Sequence, residues 1–137
     1  MKALYLEEVP FGEIFDLGSR QFTQAEFDGF AYPKNLMGFC GWMACYVAFN
    51  AKARAERLAR EGREPAFGPS PGVEALELGA EIKPGDVIHY TSKPTTGRAF
   101  NSKPGWGILE SENEGRNDQG KMVIRFKAKV LIASKSA

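Results

Sequence analysis

Three residues stand out as able to move a proton or attack a carbonyl: His89, Asp28 and Cys40. The one histidine, His89, sits in the alternating run Val87–Ser92, and Asp28 lies far earlier in a short helix-forming segment. An aspartate and a histidine brought together could hold and activate a water, the arrangement of general acid–base catalysis. Cys40 falls where a long helix is expected to begin, a position that can activate a thiol as a nucleophile. Gly41, next to it, falls where the open backbone amides of that helix are expected. Each residue also has an ordinary reading. Asp28 suits a solvated helix face, and His89 a structural or solvent-facing strand position. Cys40 suits packing, and Gly41 a close helix–strand contact. Trp42, Tyr46 and Phe49 suit a core. Cys40 and Cys45 have neither metal nor redox spacing; five apart on one helix they diverge, so no disulfide is expected. No metal or cofactor is implied.

The elements that must position these residues can be traced along the chain. Gly12–Thr23 alternates enough for a strand, with Ile14, Phe15 and Leu17 apolar. Thr23 reads as an N-cap with Glu26 at the third helical position, a capping-box pattern, so a short helix is expected over Gln24–Phe30. Pro33 breaks it. From Cys40 to Phe49 the sequence is apolar on nearly every side, which predicts a helix buried all round. From Lys52 to Glu61 that helix becomes charged, with Lys52, Glu56 and Arg60 on one solvated face, and Gly62 is the expected C-cap. A Pro/Gly loop, Arg63–Gly72, leads to four strand candidates: Val73–Ile82, Val87–Ser92, Trp106–Glu112 and Met122–Ala133. Lys83–Asp86 and Asn117–Lys121 are tight turns, which favour antiparallel neighbours. The predicted architecture is α+β: a curved five-stranded antiparallel sheet wrapped around one long helix.

Whole-chain properties narrow the classes of function. The chain has 137 residues, which predicts one domain spanning 1–137. A formal net charge of +1 gives no electrostatic reason to expect nucleic acid or an anionic membrane. No apolar run is long enough to span a bilayer, and MKALYLEEVPFGE lacks the apolar centre of a signal peptide, so a cytoplasmic location is expected.

Four stretches, Phe11–Ala31, Gly38–Phe49, Ser70–Tyr90 and Gly97–Ile132, taken in that order resemble the MaoC-like hot-dog family of (R)-specific enoyl-thioester hydratases and dehydratases. FGEIFDLGSRQFTQAEFDGFA (Phe11–Ala31) resembles its entry strand and first helix, and GFCGWMACYVAF (Gly38–Phe49) the start of its central helix. SPGVEALELGAEIKPGDVIHY (Ser70–Tyr90) resembles its loop, strand, Pro-Gly-Asp turn and next strand. GRAFNSKPGWGILESENEGRNDQGKMVIRFKAKVLI (Gly97–Ile132) resembles its last hairpin. Order and spacing carry the resemblance rather than any one motif. It implies a hot-dog fold, an acyl-CoA or acyl-carrier-protein thioester as ligand, fatty acid metabolism, and a homodimer, heterodimer or higher hot-dog oligomer formed through open sheet edges.

One part of the family pattern is missing. Active members carry an Asp, and shortly after it a His, beyond the Phe-Ala that ends the first helix. Here nine residues, Tyr32–Cys40, separate Ala31 from Gly41 and contain neither. The resemblance therefore implies a homologue without the catalytic pair, acting in acyl-thioester binding or as a partner subunit, with Gly41 and Trp42 as candidate substrate-binding residues. A second reading is an active hydratase whose catalytic segment is missing or replaced, recruiting residues such as Asp28 or His89. A third is a thioesterase, against which the lack of a carboxylate from Cys40 to Ala51 counts.

Overall fold

The computed structural model describes residues 4–31, 33–63, 65 and 72–135. Tyr32 and most of the Pro/Gly loop after Gly62 lie outside the described residues. Strand β1 (Phe15–Gln21) is followed by helices α1 (Gln24–Gly29) and α2 (Met37–Glu61). Strands β2 (Gly72–Leu78), β3 (Val87–Ala99), β4 (Trp106–Arg116) and β5 (Met122–Ala133) complete the chain. All pairings are antiparallel and the sheet order is β1-β3-β4-β5-β2, which makes β1 and β2 the edges. This is the predicted five-stranded sheet with one long helix.

Local chemistry sets the boundaries. Thr23 caps α1 by accepting from the Glu26 amide at 3.2 Å, while the Glu26 carboxylate pairs with Arg20. Gly62 ends α2 in the left-handed region (φ +76°), its amide donating to Leu58 at 2.8 Å. In the Lys83–Asp86 turn, Gly85 supplies φ +92° and the Asp86 carboxylate accepts from the Lys83 amide at 2.9 Å.

The elements differ from expectation in several ways. Strand β2 ends at Leu78 rather than Ile82, and β4 runs on to Arg116 rather than ending at Glu112. Helix α2 begins at Met37, not Cys40, because a 3-10 turn over Lys34–Leu36 runs into it directly after Pro33. Strand β3 runs past Pro94 to Ala99. Proline has no amide to donate, but β1 reaches only as far as Phe15 opposite Ser92, so at Pro94 that flank of β3 needs no ladder donor. The helix is also not buried all round. Met43 is 42% and Val47 59% exposed, and Cys40, Ala44 and Ala48 face outward too, because the sheet curls around one side of α2 only.

The sheet-facing side of α2 supplies the core. Trp42 stacks on Tyr46 (4.7 Å between centroids) and meets Phe126 edge-on (4.8 Å), above the fully buried Ile88, Tyr90 and Ile124. A second cluster, Val9, Phe15, Leu109 and Ile132, closes the far end with Leu6 and Phe49 packed on it. Between the two, Ser92, Ser111 and Asn113 satisfy one another: Ser92 Oγ donates to Asn113 Oδ1 at 2.6 Å, and Asn113 Nδ2 to Ser111 Oγ at 3.1 Å.

Candidate functional site

A hollow of about 380 Å³ opens where the end of β1, α1 and the first turns of α2 meet. Phe22, Phe30 and Met37 give it apolar walls, and Gly41 and Ala44 a floor of small residues. Arg20 and Glu26 stand at its charged side, joined by one contact of 3.3 Å between partly exposed side chains. Cys40 is exposed in the wall.

Gly41 is where helix and sheet come closest. A β-carbon there would lie 2.3 Å from Tyr90 Oη and 2.7 Å from Phe22 Cζ, so only glycine fits. Tyr90 Oη donates to the Gly38 carbonyl at 3.0 Å, and burial pushes its phenol far above the ordinary range. As the fifth residue of α2, Gly41 has its amide inside the helical hydrogen-bond ladder rather than among the open N-terminal amides. The structure thus gives Gly41 a packing role in the wall of the hollow. Trp42 turns away from the hollow into the core, 4% exposed.

The two titratable candidates are not brought together. Asp28 is exposed on α1 and accepts from Gln24 Nε2 at 2.9 Å. His89 neighbours the inward-pointing Tyr90 and so projects from the outer face of the sheet, where Nε2 lies 2.7 Å from Asp118 Oδ1. The sheet separates it from the hollow. Cys40 and Cys45 are both free thiols, and burial pushes the Cys45 thiol up. Among the described residues, no three His, Cys, Asp or Glu side chains are grouped as a metal site. The charged pair that does reach the hollow, Arg20 and Glu26, has no signature in the sequence, where Glu26 reads as a capping residue.

Solved structures share this architecture over almost the whole chain. A MaoC-like dehydratase from Rhodospirillum rubrum superposes with a TM-score of 0.62 at 20% identity, covering 98% of this chain and 99% of that one. The fold is the hot-dog fold. A monoamine oxidase regulatory protein from Archaeoglobus fulgius gives a TM-score of 0.65 at 14% identity, covering 96% of this chain and 95% of that one. An (R)-hydratase from A. caviae involved in PHA biosynthesis gives 0.51 at 16% identity, covering 90% and 97%. No protein-family model matches the chain, and no curated protein does. No helix among the described residues is long and apolar enough to cross a membrane.

Proposed function

We propose that this chain is a MaoC-like hydratase homologue that binds an acyl thioester, on CoA or a carrier protein, beside the start of α2, and does not hydrate it by an Asp/His mechanism. The observation that carries this reading is the hollow: apolar Phe22, Phe30 and Met37 face the small residues Gly41 and Ala44, with Arg20 at the side. Its walls suit an acyl chain, and its one guanidinium suits a carbonyl or phosphate oxygen. Superposition over 98% and 90% of the chain on a MaoC-like dehydratase and an (R)-hydratase supports the hydratase-like part of this reading. Asp28 and His89 lie apart, and neither lines the hollow.

The reading includes a dimer, either of two copies or with a catalytic hot-dog partner. Edge strand β2 is exposed along its whole length. Val73 and Leu78, opposite Ala128 and Ile124 in register, turn apolar side chains to the helix side of the sheet while 43% and 42% exposed. On α2, Phe39 leans on Phe126 of β5; Met43 and Val47 continue that flank one and two turns on, uncovered. An exposed apolar patch of this kind marks an association surface. The test is calorimetric titration with a non-hydrolysable acyl-CoA thioether series, alongside a hydration assay on crotonyl-CoA. Saturable binding without water addition is expected; absence of binding at every chain length overturns the reading.

A further inference from the structure

We infer that Glu26 and Arg20 make the hollow a thioester hydrolase site, with Glu26 as general base and Arg20 as the counter-charge to the oxyanion. This rests on the acyl-thioester reading above and adds a reaction to it. Helix α2 carries no carboxylate near its start, but α1 delivers one: Glu26, in its first turn, lines the same hollow as Gly41 and Ala44. Arg20 reaches the hollow from β1, and its guanidinium lies over the Phe22 ring at 5.7 Å, which sets its direction.

The pair is poised rather than locked. Its single 3.3 Å contact is longer than a close charge-assisted bond of about 2.7–2.9 Å, and both side chains are over a third exposed. Such a pair is worth little, so ligand can replace it at small cost. With an acyl group against Phe30 and Met37, Arg20 can bind the thioester carbonyl oxygen while Glu26 holds a water.

The reaction balances without further groups. Glu26 takes a proton from water as the water oxygen bonds to the carbonyl carbon, and the carbonyl electron pair moves to oxygen beside Arg20. The tetrahedral adduct collapses, the carbon–sulfur bond breaks, and the thiol leaves as thiolate. Glu26 returns the proton to it. The products are the carboxylic acid and free thiol. One carboxylate suffices here because a thiolate is a good leaving group. Adding water to an enoyl thioester would also require a proton to be placed on carbon.

The test uses the full chain with acetyl-, crotonyl-, hexanoyl- and decanoyl-CoA, and chromatographic detection of CoA, since exposed Cys40 would consume a thiol reagent. Thioether binding is measured in parallel. Glu26→Gln is expected to lower CoA release by about 10²–10⁴-fold while saturable thioether binding is retained, and Glu26→Asp to restore part of the rate. Arg20→Met is expected to lower kcat by about 10²–10³-fold, and Arg20→Lys by less. Binding without CoA release from any substrate overturns this inference and leaves the binding reading intact; absence of binding overturns both. A Glu26→Gln protein that keeps the full rate also overturns it.

Discussion

The hydroxyl of Tyr90 occupies the space that a β-carbon on Gly41 would need, 2.3 Å from its ideal position, while donating to the Gly38 carbonyl at 3.0 Å. One contact thereby fixes the approach of α2 to β3 and shapes the floor of the hollow. Gly41→Ala must push aside both Tyr90 and Phe22, at a cost of about 1–3 kcal/mol. That corresponds to a melting temperature lower by about 3–5 °C for each kcal/mol. Gly29→Ala, with open space around its missing side chain, should shift it by less than about 0.5 kcal/mol. Urea denaturation of both variants measures the difference. Tyr90→Phe in the Gly41→Ala background should recover part of the loss, a coupling visible in a double-mutant cycle.

Acid should loosen the far end of α2. Arg57 Nη1 lies 2.7 Å from Glu8 Oε1, and this hydrogen bond does most to hold the Glu8 carboxyl down at about 2, against an ordinary 4.5. The folded state therefore binds that proton less tightly than the unfolded chain does. The stabilisation is fully present above about pH 4.5 and is lost as pH falls toward 2; with solvent screening it amounts to about 1–3 kcal/mol. Glu8→Gln should flatten the stability profile across that window. Arg57→Ala should do the same and cost a further increment at neutral pH, because Arg57 also contacts Glu61 at 2.8 Å and lies over the Tyr5 ring at 5.1 Å.

Charge on the open apolar flank should abolish self-association. Val47→Lys and Leu78→Glu place charges on side chains already 59% and 42% exposed, so folding stability should change by less than about 0.5 kcal/mol. Sedimentation equilibrium should show a dimer for the unaltered chain at micromolar concentration and a monomer for the double variant. A wild-type monomer under those conditions counts against a homodimer.

Asp28→Asn and His89→Gln should leave acyl-thioether affinity within about twofold, because neither side chain faces the hollow. A tenfold loss with either one would revive the reading in which those residues were recruited for hydration.

Much of the fold is legible in the residues themselves. Met122–Ala133 matches β5, and the Pro84–Gly85 and Asn117–Gly120 turns form where their backbone chemistry demands. What escapes the sequence depends on distant partners. Strand β3 continues through Pro94 because β1 stops before reaching it, which no local feature announces. The apolar run on α2 looks wholly buried because composition cannot say on how many sides the sheet will wrap. The hollow was half legible: the apolar helix start marks its floor, but the Arg20–Glu26 contact depends on the angle at which β1 passes into α1. A strand charge and a capping glutamate carry no local sign of facing the same cavity.

The strand order also bears on how the polypeptide folds as it is synthesised. Both edge strands emerge before their partners: β1 waits for β3, and β2 for β5, the last element of the chain. Until those residues leave the ribosome, α2 carries Trp42, Tyr46 and Phe49 with no sheet to receive them. The β3–β4–β5 meander, whose turns are local, supplies most of the sheet that covers this apolar face.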